Sequence, residues 1–299
     1  MKPAHLIILL ALNVFWSATL SINKVLEPHL EPGGIVTLRF GLGGLALLAL
    51  WPWLPGSAPR GRDLLKTCVL GLVVFVLGHR LQVLGNKLST ASNSSVLMAI
   101  EPLITSAAAA IFLREHIGTR RILGFALGMT GVAMLNGVWR DDFKWVSLGA
   151  SAIFVSSFVC ETAFSVAGKP IITRASPLKF VALSLAAATV ANLLLDGRQT
   201  LTAAVHLPAQ AWLWLLVIAL ICTSFGYGFW FLVIREGEVN VAVLTIFLQP
   251  VCGVLIAKVW LGEALHWGQL WGSLAIVLGL VVGLSRQIKT SAKIETLKL

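Results

Sequence analysis

Residues 97–113 read LMAIEPLITSAAAAIFL, an apolar run with a carboxylate and a proline at its centre, Glu101-Pro102. Residues 245–261, TIFLQPVCGVLIAKVWL, repeat the arrangement with Gln249-Pro250. A shift of 148 residues lays Pro102 on Pro250, Leu113 on Leu261, Glu115 on Glu263, Gly124 on Gly272 and Gly131 on Gly279. The chain therefore carries an internal duplication. Proline removes a backbone donor and clashes with the preceding turn, so the two sites mark matching interruptions in two apolar helices.

The rest of the composition tells where those helices lie. Of 299 residues, 57% are hydrophobic and 12% charged, with mean hydropathy +0.88. A soluble domain could not bury so much apolar surface. A membrane-spanning helix needs roughly 20 apolar residues. Ten runs of that kind are expected at 5–26, 34–54, 64–84, 89–113, 119–139, 146–168, 177–195, 211–233, 239–261 and 266–286. The first run continues at full length without a cleavage site, so it is taken as a helix rather than a leader. Cys68, Cys160, Cys222 and Cys252 stand singly in apolar runs, which gives no disulfide or metal pattern.

The net charge of +10 is spread between apolar runs, against a nucleic-acid partner. Its placement instead predicts orientation. One side collects Lys2, Arg60, Arg62, Lys66, Arg114, Arg120, Arg121, Lys169, Arg174, Lys179, Arg235 and the tail cations from Arg286 on. The other keeps mainly Lys87, Arg140, Lys144 and Arg198. Cations favour the cytoplasmic side, which predicts cytoplasmic termini in a multi-pass protein of a bacterial inner membrane. Five helices per repeat force the second copy upside down. The expected fold is thus an all-α membrane protein of ten transmembrane helices in two inverted five-helix repeats, 1–145 and 146–286, followed by a cytoplasmic tail at 287–299. Pro102 and Pro250 then approach the bilayer midplane from opposite sides and are candidate hinges. Broken helices in corresponding positions mark the binding region of membrane transporters.

Taken together, Glu101-Pro102, Glu115, Arg39 opening helix two, and the echo Gln249-Pro250 with Leu261-Gly262-Glu263 resemble the drug/metabolite transporter superfamily, EamA type, over nearly the whole chain. The resemblance implies a ten-helix exporter with inverted repeats. Within that family the chain looks like the YddG-type exporters of aromatic amino acids. It departs from the pattern at Trp16-Ser17-Ala18-Thr19, where members often carry Gly and Asn after the Trp, and at Arg114, which faces Gly262 in the second half.

Candidate substrate-binding residues follow from polarity at depth. Glu101 costs about 2.5–3.5 kcal/mol at a helix centre, so it must face protein or water. It serves either a substrate amine or proton, or the backbone groups that Pro102 leaves open; Gln249 at the matching site argues against a required charge. Helix three places Gly71, Phe75, Gly78, His79, Gln82 and Asn86 on one face. His79 either binds a carboxylate or gates by protonation, or is simply bonded to a neighbouring helix. Asn13, Trp16, Ser17 and Leu20 share a face of helix one, and Ser151, Phe154, Phe158, Glu161, Thr162 and Ser165 a face of helix six. Met98 precedes Glu101 by three residues, and Trp230 closes the mixed run Cys222–Trp230. Trp51, Trp53, Trp139, Trp145, Trp212, Trp214, Trp260 and Trp267 read as an interfacial belt. Glycine pairs at 124/128, 268/272 and 279/283 permit close helix crossing, in the scaffold or at a dimer face.

The function expected is secondary export of small amphipathic metabolites, foremost aromatic and other neutral amino acids, by alternating access around a midplane cavity. Organic-cation or multidrug export is the alternative, and an intramembrane enzyme a weaker one, since no nucleotide loop or HExxH occurs. No cofactor is expected; the partners are a small-molecule substrate and lipid.

Overall fold

The computed structural model describes residues 2–88, 94, 97–140, 148–261 and 267–296, the side chains at 254, 257–261 and 286–296 excepted. The expectations for Gly262-Glu263, Lys144, Trp145, the side chains of Trp260 and the tail cations, and the start of helix four at 89–93 lie outside those residues. Every described element is helical. They are α1 (Pro3–Leu26, with a turn at Ala18), α2 (Pro32–Ala49), α3 (Arg62–Lys87), α4 (Glu101–Phe112), α5 (Thr119–Leu135), α6 (Leu148–Ile172), α7 (Pro177–Val205), α8 (Ala209–Glu236), α9 (239–261) and α10 (Trp267–Thr296). Among the described residues, seven of these are long and apolar enough to cross a membrane: α1, α2, α3, α6, α7, α8 and α10 as far as Ser285. The fold is an all-helical, multi-pass membrane protein.

Several boundaries differ from the sequence reading, for physical reasons. The run at 89–113 does not continue through its proline. Helix α4 begins at Glu101 with Pro102 in its first turn, where a missing N–H leaves no helical bond unmade. Proline here starts a helix rather than kinking one. The run at 239–261 is likewise divided: a short helix Val239–Ala242, a 3-10 stretch Val243–Phe247, then Leu248–Leu261 with Pro250 in its first turn. Helix α7 extends to Val205 rather than 195, and the backbone leaves helical geometry at Asp196, where two helices join across a kink. Helix α10 runs to Thr296, so the first part of the expected tail is helical. Two helices widen to π geometry at matching places, Val73–Gly78 in α3 and Val217–Phe225 in α8, immediately before His79 and Gly226-Tyr227. Such widenings recur at functional sites.

The two halves interleave. Helix α1 packs on α8 and α9, α2 on α7 and α8, α3 on α6 and α7, α4 on α6, and α5 lies along α10. The last contact uses the glycine pairs. A β-carbon at Gly124 would stand 2.9 Å from the Gly279 carbonyl, and one at Gly131 2.7 Å from that of Gly272. Gly128 accommodates the Phe247 ring and Gly268 the Met134 carbonyl. These pairs serve internal crossing, the backbones approaching as only small residues allow. In α3, glycines 78 and 85 similarly admit α6: their β-carbons would meet Cys160 at 2.7 Å and Phe154 at 2.8 Å.

Ion pairs fasten the helix ends. At one end Lys2 meets Glu236 at 2.7 Å, Arg174 meets Asp63 at 3.0 Å, Arg121 meets Glu238, and Lys169 meets Glu115 at 2.8 Å. Glu115 also accepts the Val239 and Asn240 amides, capping α9 from the α4–α5 connection. At the other end Arg80 pairs with Asp196 at 2.9 Å, Lys87 with Glu31 and Lys24 with Glu27, both at 3.1 Å.

Candidate functional site

Where α1, α2, α3, α4, α6, α8 and α9 converge they leave a cavity of about 640 Å3, counted out to its open mouth. Trp16, Thr19 and Leu20 line it from α1, Arg39 from α2, His79 and Gln82 from α3, and Glu161 and Ser165 from α6. Met98 and Glu101 contribute at the first proline break; Tyr227 and Trp230 come from α8, and Ile246 and Gln249 from the second break.

One wall is a bonded polar cluster. The π stretch of α3 brings the Val74 carbonyl to 2.9 Å from His79 Nδ1, which donates to it and leaves Nε2 turned outward. Tyr227 Oη donates to Glu161 Oε1 at 2.9 Å and stands 3.2 Å from His79 Nε2. The same Glu161 oxygen lies 3.2 Å from that nitrogen. His79 and Tyr227 occupy equivalent positions of the duplication under the 148-residue shift. Behind them Phe40, Phe75 and Phe164 pack as an aromatic layer, with Phe75 5.0 Å from both Phe164 and Tyr227. That layer fixes the ring orientations and keeps the polar cluster from lipid.

The aromatic wall is built by Trp16 and Trp230, 5.8 Å apart between ring centroids. Trp16 Nε1 donates to the Cys222 carbonyl at 2.7 Å, and Gly226 leaves room for that indole. Trp230 Nε1 donates to Ser165 Oγ at 3.2 Å. With their N–H groups satisfied, both rings offer apolar faces to the cavity.

Of the residues selected from sequence, Trp16, His79, Gln82, Met98, Glu101, Trp230 and Gln249 reach the cavity wall. Five do not, each for a visible reason. Asn13 is fully buried, donating to the Leu9 carbonyl at 2.7 Å and to Thr245 Oγ1 at 2.9 Å, and it accepts Gln249 Nε2 at 2.8 Å. Ser17 returns its hydroxyl to the Val14 carbonyl at 2.6 Å. Phe75 belongs to the layer behind the cluster. Phe158 packs with Phe154 and Leu97 in a separate apolar group. Thr162 bonds Thr105 at 2.6 Å, joining α6 to α4. The Glu101 carboxylate makes no hydrogen bond or ion pair among the described residues.

Arg39 and Tyr227 were not selected from sequence as binding residues, and Glu161 only as one member of a helix face. Arg39 lies mid-helix in α2 rather than at its opening. Glu161 sits on the face of α6 that sequence marks as polar, and Tyr227 is the duplicate of His79. The second of these signals was available to the repeat alignment. Among the belt candidates, Trp53, Trp139 and Trp267 are exposed, whereas Trp51, Trp212 and Trp214 are partly covered by the bundle.

A solved crystal structure superposes on this chain with a TM-score of 0.77 at 18% identity, covering 96% of this chain and 99% of that one; the likeness is one of fold. Among curated proteins, an uncharacterized transporter of Archaeoglobus fulgidus is 23% identical over 278 residues, 92% of this chain and 97% of its own. A probable terminal-alkyne amino-acid exporter of Streptantibioticus cattleyicolor is 26% identical over 258 residues, 84% of this chain and 83% of its own. The model of the EamA-like transporter family matches residues 3–137 and again 147–284. Cavity, broken helices and family match agree: this chain belongs to the EamA-like transporter family.

Proposed function

We propose that this protein is a secondary transporter that exports small amphipathic metabolites, foremost aromatic and other neutral amino acids, by alternating access. The observation that carries this reading is the cavity itself. It lies between the two halves, is reached by both proline breaks, and sets a tryptophan wall beside ionisable side chains. Aromatic surface supplies burial and the polar groups fix a head group. The amino-acid exporter among the relatives points the same way.

Ten membrane crossings in two inverted repeats, 1–145 and 146–286, with Pro102 and Pro250 as hinges, complete the reading. Its support is the double family match and the helix pairings. The pairing of α1 with α9 turns into that of α6 with α4, and α2 with α8 into α7 with α3, when the halves are exchanged. The end bearing Lys2, Arg121, Lys169 and Arg174 is then the cytoplasmic one of a bacterial inner membrane. Reporter fusions at Ser57 and Ser291 should report cytoplasm and at Asp141 periplasm; a periplasmic C-terminus overturns the topology.

Counterflow in proteoliposomes tests the substrate, with labelled tryptophan and phenylalanine beside an organic cation. Exchange of the amino acids, weakened in Trp16→Ala and His79→Ala without loss of folded protein, is the expected result. Exchange of the cation alone sinks the amino-acid reading. Organic-cation export is the second reading, and the unpartnered Glu101 carboxylate on the cavity wall is what favours it.

A further inference from the structure

Arg39 is the one lysine or arginine buried among the described residues, 4% exposed, and it stands in the middle of an apolar helix. A cation at that depth is costly unless paired, and three partly covered cations show such pairing: Arg80 has Asp196, Arg121 has Glu238, Lys169 has Glu115. Arg39 has no carboxylate within ion-pair distance among the described residues. Its guanidinium carbon lies 5.0 Å from the Phe40 ring centroid. Among the described residues its only hydrogen bond runs from Nε to Thr223 Oγ1 at 2.9 Å, and that hydroxyl is itself held by the Ile218 carbonyl at 2.8 Å in the π stretch of α8. The bond fixes the plane of the guanidinium while Nη1 and Nη2 stay unused, and the side chain forms part of the cavity wall.

The cavity carboxylates do not fill the vacancy. Glu161 is engaged by Tyr227 and His79, and Glu101 has no hydrogen bond or ion pair among the described residues. The site therefore holds one cation and one carboxylate, each outside ion-pair distance of an opposite charge among the described residues, beside an indole wall. A phosphate dianion would bring two charges into a cavity that already has two carboxylates on its wall; a single carboxylate matches the planar fork of one arginine.

We propose that Arg39 binds the carboxylate of the transported molecule and Glu101 its ammonium group, so that the substrate must carry both, with its apolar side chain against Trp16 and Trp230. This deepens the transporter reading above and rests on it. Molecules bearing an amine but no acid leave Arg39 uncompensated, and such an unpaired buried charge is what excludes them.

The test uses the full-length protein with three probes of equal ring size: phenylalanine, phenethylamine and 3-phenylpropionate. Binding is read as ligand-induced thermal stabilisation, and transport as counterflow. Phenylalanine should stabilise and exchange, 3-phenylpropionate should do so more weakly, and phenethylamine should do neither. Arg39→Gln should lower phenylalanine affinity by roughly ten- to a hundredfold, as expected for a charge-assisted pair, and Arg39→Lys should fall between. Size-exclusion behaviour checks that the variants fold; if Arg39→Gln does not, the wild-type probe series decides. Phenethylamine equalling phenylalanine, or unaltered phenylalanine affinity in a folded Arg39→Gln, overturns the anchor while leaving transport intact. Exchange of an organic cation with none of the three probes overturns the amino-acid reading as well.

Discussion

The two proline breaks share a backbone plan and differ in chemistry. At the first, Glu101 opens α4 with its carboxylate on the cavity wall and no partner among the described residues. At the second, Gln249 is buried; its amide donates to Asn13, whose own amide reaches Thr245. Proline sets where each helix starts, because its ring and missing N–H suit a first turn. The residue before it decides whether the break presents a charge to a ligand or is stitched into α1. A negative group at a helix N-terminus is also favoured by the positive end of the helix dipole, so Glu101 is tolerated there without a side-chain partner.

Exchanging the two chemistries gives the largest expected effects. Glu101→Gln removes a charge but no hydrogen bond, so the protein should keep its melting temperature while phenylalanine counterflow falls about tenfold. Gln249→Glu does the reverse. It replaces the donor to Asn13 by an acceptor and should lower stability by about 1–3 kcal/mol, read as a drop in melting temperature of the purified protein. Equal melting temperatures for both variants would erase the distinction between the breaks.

Asn13→Ala probes the stitched break alone. It leaves Gln249 Nε2 and Thr245 without their buried partner, and a loss of about 1–2 kcal/mol in thermal or denaturant unfolding is expected. An unchanged unfolding midpoint would mean that Gln249 finds another acceptor and is as free as Glu101.

Tyr227→Phe tests the wall between the breaks, removing the hydroxyl that holds Glu161 beside His79. The ring packing against Phe75 and Trp16 survives, so the fold should too. Counterflow should fall roughly three- to tenfold, the weight of one neutral hydrogen bond. Wild-type exchange would show that Glu161 needs no positioning from α8.

The smallest effect concerns the turn after α4. Arg114 adopts φ 57°, the left-handed geometry that commonly ends a helix and that glycine fills without strain. The duplicate position is Gly262. Arg114→Gly should raise stability by about 0.5–1 kcal/mol if relief of strain outweighs the added freedom of the unfolded chain. A fall in melting temperature would assign Arg114 a bond that outweighs its strain.

Much of the helical order was legible in the linear pattern. Helical segments occupy all ten apolar runs, and the duplication found through Pro102 and Pro250 locates both helix starts at the cavity. The site was legible in part. His79 and Glu101 stood out as ionisable groups at depth, and the bilayer makes such residues costly without a role. Asn13, Ser17 and Thr162 carry the same polarity signal yet spend it on bonds to other helices or to their own backbone. Helical periodicity gives the face a residue occupies but not what that face meets.

The sequence by itself determined the solvent, the helix positions and the repeat, because hydropathy and proline act locally along the chain. Tertiary structure alone decided that α2, α3, α6 and α8 converge. That convergence sets Arg39 on Thr223 while His79 and Tyr227 share Glu161. Pairing between charges depends on distances of a few ångströms across helices far apart in the chain, and no local pattern encodes it.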